Sequence, residues 1–193
     1  MSRGLAICLA LVLLLSGCGH AVVLVRQAPA TLPQEPPGHE TATVTRVVDG
    51  DTIEVTIIDR FEGPGAGRAR VGATYDVRLI GIDTPESVDP GSPVECFGPE
   101  ASAATKALLL GERVTLVKDT EETDQYGRLL RYVYMGEEMA DARLVANGYA
   151  HAYPYPPNIR HSELFVRLER DAREDERGLW SSGACSSDLR AGA

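Results

Sequence analysis

Hydrophobic and polar positions alternate with period two over 41–48 and 52–58, interrupted by Asp49-Gly50, and β-branched residues crowd both runs. This pattern predicts two strands joined at a tight turn. A third strand is predicted over 74–80, ending at Gly81, and two more over 113–118 and 129–134. Between the third and fourth strands the chain changes to helix formers, with Pro99 in the first turn and Gly111 at the stop, predicting a helix over 99–110. A short amphipathic helix over 137–147 ends at Gly148, and a longer one over 162–176 sets Leu164, Leu168 and Ala172 on one face. Five short strands with a helix between the third and fourth fit an α+β architecture: an OB-fold, a five-stranded Greek-key β-barrel with three helices. The stretch 59–72, rich in Gly and Arg, reads as an exposed hairpin excursion.

The first 40 residues do not follow these patterns. Arg3, the apolar run 5–15 and then Leu15-Ser16-Gly17-Cys18 predict a signal peptide over 1–18 whose end resembles a bacterial lipobox, with Cys18 as the lipidated residue. The hydrophobic pattern resumes over 21–25, so an uncleaved apolar anchor and plain secretion stay open. All three place the domain outside the cytoplasm, on the first two readings held to a membrane by its N-terminal lipid or apolar segment. Residues 19–40 follow as a Pro-rich tether, with four prolines in 27–40. The globular domain is expected over 41–182 and a C-terminal tail over 183–193. Cys96 and Cys185 are the cysteines left beyond Cys18, and an oxidising compartment leads us to expect a disulfide between them.

Composition narrows the function. A net charge of −9, with 28 acidic against 19 basic residues, argues against tight sequence-independent binding to a phosphate backbone. It leaves room for a hydrolase that neutralises phosphate locally. Four histidines and the lack of HExxH or CxxC spacing argue against zinc. Carboxylates gather instead at two strand ends, Asp49-Gly50-Asp51-Thr52 and Ile82-Asp83-Thr84-Pro85-Glu86. These are hard oxygen ligands of the kind that hold Ca²⁺ or Mg²⁺ in a sparse, partly hydrated site. Arg78 and Arg128, near strand ends of their own, offer planar forks of donors matched to phosphate oxygens.

The strings VVDGDTI (47–53), VRLIGIDTPE (77–86), CFGPEASAAT (96–105), DQYGRLLRYVY (124–134), ANGYAHAYPY (146–155) and RGLW (177–180) resemble, in order and with compatible gaps, the staphylococcal nuclease (thermonuclease) family. The resemblance runs from about residue 41 to 180, essentially the whole domain. It implies an OB barrel with three helices that hydrolyses DNA and RNA in a Ca²⁺-dependent reaction, leaving 3′-phosphates. Asp51 and Asp83 resemble the carboxylate ligands of Ca²⁺, and Thr84 the residue that adds its backbone carbonyl. Glu86 resembles the glutamate that orients or deprotonates the attacking water. Arg78 and Arg128 resemble the pair that binds the scissile phosphate, Tyr126 the tyrosine bonded to the terminal phosphate, and Tyr153 and Tyr155 the pair lining the nucleotide pocket.

Three departures stand out: Gln125 where the family has lysine, a longer hairpin before Arg78 that brings Arg60, Arg68 and Arg70, and an acidic overall charge. The alternative function is a catalytically silent OB module that binds nucleic acid or protein. It would be expected to lack one or more of Asp51, Arg78, Asp83, Glu86 and Arg128, and all five are present. The expected partner is therefore a nucleic acid substrate, with no obligate protein partner and a monomeric state.

Overall fold

The computed structural model describes residues 35–87 and 94–185. The segments expected as signal peptide and tether, with Cys18, lie outside the described residues as far as residue 34, as does the expected tail beyond Cys185. Among the described residues no helix is long and apolar enough to cross a membrane.

Strands β1 (His39–Asp49) and β2 (Thr52–Phe61) form an antiparallel hairpin whose last pair is Asp49 with Thr52, so Gly50 and Asp51 make the turn. β3 (Thr74–Leu79) returns along β2, with Arg78 opposite Thr52. After the two-residue β4 (Ile82–Asp83) and helix α1 (Gly98–Leu109), β5 (Arg113–Val117) pairs with β1 and β6 (Leu129–Met135) with β5. β6 then pairs in parallel with β3, Val77 beside Leu129 and Arg78 beside Leu130, which closes five strands into a barrel. The remaining elements are β7 (Glu138–Met139), α2 (Ala140–Ala146), β8 (His151–Ala152) and α3 (Ser162–Glu174), followed by a 3-10 turn at Gly178–Trp180. Five barrel strands and three helices make the OB-fold that the periodicity predicts.

Burial follows the pleat. Ala42 and Val44 of β1, Ile53, Val55 and Ile57 of β2, and Val77 and Leu79 of β3 turn inward and meet Leu116 and Val133. Leu164, Phe165 and Leu168 seat α3 on the barrel. One ion pair lies inside this core: Arg131 and Glu40 are both fully buried, with Nε 2.8 Å from Oε2. Arg131 also donates to Glu122 Oε1 at 2.6 Å.

The structure corrects four local expectations. Residues 35–40, expected in the tether, belong to the folded domain, because Glu35 accepts from Tyr134, His161 and Arg160 and β1 already begins at His39. The excursion is shorter and less exposed than expected. β2 continues to Phe61, which stacks on His39, and residues 65–67 and Ala69 are buried. Backbone bonds explain the burial: Gly65 carbonyl accepts from Lys118 N–H at 2.8 Å, and Arg68 N–H donates to Glu122. The second helix starts at Ala140 rather than 137, since Glu138 and Met139 fold back on β6 as β7. Finally β4 and β8, too short for a periodicity signal, pair as a separate two-stranded ribbon.

Candidate active site

The β1–β2 turn, the end of β3 and the β4 segment converge at one mouth of the barrel. Asp51, 6% exposed, accepts the Thr84 N–H on Oδ2 at 3.0 Å and the Thr52 hydroxyl on Oδ1 at 3.0 Å. Gly50 permits this approach, because a Cβ there would meet Thr84 Oγ1 at 2.6 Å. Arg78 reaches the same place from β3. Its Nη2 lies 3.0 Å from Asp51 Oδ2 and 2.8 Å from Asp83 Oδ1. Its Nη1 donates to the carbonyls of Leu79 and Ile82, at 3.0 and 2.8 Å. The guanidinium is thus held by the fold before any ligand arrives.

Asp83 is placed by the β4–β8 ribbon, where it pairs with His151. Partial removal from water pushes its carboxyl above the ordinary range. The Arg78 charge pulls it down and the Asp51 charge pushes it up. Thr84 is buried, and its Oγ1 has no hydrogen-bond partner. Two carboxylates sharing one guanidinium nitrogen, beside an unpartnered buried hydroxyl, form an all-oxygen donor set that fits a hard divalent cation. Among the described residues no three His, Cys, Asp or Glu side chains group to hold a metal ion by themselves.

Glu86 follows the Pro85 turn. Its Oε1 accepts from Ser87 N–H at 2.9 Å, and its side chain is hydrogen-bonded to Asp49. Burial raises the Asp49 pKa, hydrogen bonds from Ser87 and the Gly50 backbone lower it, and Glu86 raises it again.

The parallel pairing of β3 with β6 sets Arg128, just before Leu129, near Arg78. Arg128 Nε donates to Asp124 Oδ2 at 2.6 Å, and its guanidinium lies 5.3 Å from the Tyr126 ring centroid. A cleft of about 640 Å³ opens between these elements, lined by Arg78, Asp83, Gln125, Tyr126, Arg128, Tyr153, Tyr155 and Asn158 among others. The rings of Tyr153 and Tyr155 are nearly parallel, at 10°, with centroids 6.3 Å apart. Tyr126, Tyr153 and Tyr155 are 75%, 51% and 62% exposed, which is unusual for aromatic side chains without a ligand role.

Of the predicted residues, Asp51, Arg78, Asp83 and Thr84 meet directly, and Arg128 and the three tyrosines share the cleft with Arg78 and Asp83. Glu86 is joined to Asp49 and Ser87 and does not line the cleft. The other three arginines of interest, Arg60, Arg68 and Arg70, line a separate hollow with Val71. Arg60 is engaged with Gly67 and Glu62, and Arg70 with Tyr75. Several supporting residues gave no signal of their own in the sequence. Asp124 clamps Arg128 from within the same matched string. Asn158, 3% exposed, accepts from Thr120 and Glu121 N–H and so shapes the loop leading to Asp124.

A closed five-stranded barrel with arginines, carboxylates and exposed tyrosines at its mouth defines an OB-fold protein suited to a phosphate-bearing ligand. The family model described as staphylococcal nuclease homologue matches residues 76–182. The chain is 41% identical over 141 residues to a protein named Thermonuclease from Staphylococcus intermedius, covering 73% of this chain and 76% of the relative. It is 38% identical over 143 residues to Thermonuclease from Staphylococcus hyicus, covering 74% and 77%. Endonuclease YncB from Bacillus subtilis is 34% identical over 141 residues, covering 72% and 61%. The chain belongs to the staphylococcal nuclease family.

Proposed function

We propose that this chain is a Ca²⁺-dependent phosphodiesterase that hydrolyses DNA, RNA or both to products ending in 3′-phosphates. Family membership supports nuclease-type phosphodiesterase activity. The observation that carries the finer reading is the pair of guanidiniums, Arg78 and Arg128, lining one cleft with Asp83 and the tyrosine pair.

Asp51, Asp83 and the Thr84 carbonyl would hold the cation. Bound there, Ca²⁺ would neutralise phosphate charge and lend positive field to a nearby water. The tyrosines Tyr153 and Tyr155 offer parallel faces on which a base can stack, and Tyr126 offers its hydroxyl to a terminal phosphate. Arg78 and Arg128 would donate to the reacting phosphate, with the greatest gain when charge builds on its equatorial oxygens. Glu86 would orient the attacking water or take its proton. The new P–O bond forms as the bond to the 5′ oxygen breaks, and that oxygen leaves with a proton. Gln125, an uncharged residue, leaves the grip on a terminal phosphate to Tyr126 and weakens it.

We place the domain outside the cytoplasm, held by a lipid on Cys18. The Cys96–Cys185 bridge supports an oxidising compartment.

Replacing each arginine by lysine tests the assignment, because lysine keeps the charge and loses the fork. Arg78→Lys and Arg128→Lys should each lower kcat on single-stranded DNA by about 10²-fold or more, with a smaller change in KM. Near-wild-type turnover in both folded variants would overturn the phosphate clamp and favour a silent binding module.

A further inference from the structure

Glu86 sits in a clasp made by residues 94–98. Its N–H donates to Glu95 Oε2 at 3.0 Å, and its carbonyl accepts the Glu95 N–H at 2.8 Å. On another side stands Gly98, where a Cβ would lie 2.5 Å from the Glu86 carbonyl oxygen and 3.1 Å from that of Pro85. Both peptide groups of Glu86 are therefore fixed by the segment that leads into α1.

Little else holds that segment. Val94 is 60% exposed, Glu95 is exposed, and the N-terminus of α1 has no side-chain cap. Phe97 stacks on Tyr149 with centroids 5.8 Å apart. The covalent restraint is the bond from Cys96 to Cys185, across 89 positions of sequence. Cys185 follows the 3-10 turn, which is tied to the end of α2 by Leu179 N–H donating to Gly148 carbonyl at 2.9 Å. A continuous path thus runs from the body of the domain through the disulfide to Glu95 and on to Glu86.

We propose that the Cys96–Cys185 disulfide, acting through Glu95, is a positioning element for Glu86. This rests on the nuclease reading of Glu86. A segment whose first residues, Val94 and Glu95, are exposed and whose one ring contact is Phe97 on Tyr149 loses much conformational freedom when it is ordered. The crosslink removes part of that freedom in advance and keeps the Glu86 carboxylate in register with the Asp51–Arg78 side of the mouth. Rate is sensitive to such placement, with a shift of about 1 Å able to cost roughly 10²-fold.

The test uses the full-length protein with single-stranded DNA and Ca²⁺. Cys96→Ser with Cys185→Ser, assayed well below its melting temperature, should lose about tenfold in kcat while KM stays within about twofold. Glu95→Ala should behave the same way. Glu95→Gln keeps an oxygen acceptor for the Glu86 N–H and should hold kcat within about twofold of wild type. A disulfide that only stabilises would lower the melting temperature and leave kcat unchanged, and that result overturns the proposal. So does wild-type kcat in Glu95→Ala. If the double serine variant does not fold, the Glu95 pair decides, since it leaves the bridge intact. An active wild type with unaffected variants overturns the clasp alone, whereas an inactive wild type overturns the nuclease reading with it.

Discussion

Arg78 holds four protein oxygens: two carbonyls through Nη1 and two carboxylates through Nη2. Its fork is oriented by the fold, and an incoming phosphate must displace part of this set, most readily the contact to the half-exposed Asp83. The same geometry makes Asp51 the more protected of the two carboxylates and Asp83 the more accessible, with side chains 9% and 50% exposed. Asp51→Asn keeps the shape and the Thr84 contact but removes one ligand charge. Half-maximal activity should then need about tenfold more Ca²⁺ or beyond, since ligand charge tunes affinity. An unchanged Ca²⁺ titration would mean that Asp51 is no ligand. Tyr153→Ala and Tyr155→Ala should instead raise KM, each by about 5- to 150-fold if a stacked base is worth about 1–3 kcal/mol, with little change in kcat. A kcat defect without a KM defect would place these rings at the chemistry rather than at the base. At this scale residue type singles out Asp51, Arg78 and Arg128 in the sequence, and the structure brings Asp51 against Arg78 and sets Arg128 in the same cleft as Arg78. Asn158 and Glu95 act through hydrogen bonds to residues far along the chain or across a loop, and no local pattern encodes those.

Strand periods were legible over β1, β2 and β6 because apolar residues recur there at every second position, Ala42 and Val44, then Ile53, Val55 and Ile57, then Leu129 and Val133. The short ribbon β4–β8 was not, since two residues carry no period, although it sets Asp83. β6 also hid a surprise: Leu129, Arg131 and Val133 share one face, and the arginine is buried with Glu40 rather than turned to water. Removing one partner strands a charge in the core, so Arg131→Met alone should cost about 3–5 kcal/mol in chemical denaturation. Adding Glu40→Gln should recover part of that loss, and a double variant no better than the single would show that the two are not coupled. Helix α2 carries a second buried charge site. Asp141 is fully buried, its Oδ2 accepts Val133 N–H at 2.9 Å, and its Oδ1 has no partner. Burial pushes its pKa up to about 8, well above the ordinary carboxylate range. The folded state therefore binds a proton that the unfolded state releases above its own pKa. Stability from this group is complete below about pH 4 and declines as pH rises towards 8. Thermal melts of Asp141→Asn should fall less between pH 5 and 8 than those of the wild type. Parallel pH curves would contradict the assignment.

For the whole molecule the question is how a chain of net charge −9 meets a polyanion. Arg78 and Arg128 line the cleft, but each is paired there with carboxylates, Arg78 with Asp51 and Asp83 and Arg128 with Asp124, so the cleft offers two guanidiniums rather than a basic track. Arg60 at the end of β2, with Arg68 and Arg70 of the connection to β3, lines another hollow, and Arg60 and Arg70 are engaged within the fold. Few counterions should therefore be released on binding. With two phosphates neutralised, log KM should rise with log salt at a slope of roughly 1 to 2, given about 0.7 per contact for single strands. A much steeper slope would require a longer basic track than these residues supply. The central claim is chemical, and one measurement meets it directly. Purified protein is incubated with single-stranded DNA in Ca²⁺, in Zn²⁺ alone and in EDTA, and the product termini are identified. The account predicts cleavage in Ca²⁺ alone, with 3′-phosphate and 5′-hydroxyl ends. Full cleavage in EDTA or in Zn²⁺ alone, or products with 5′-phosphate ends, would contradict it.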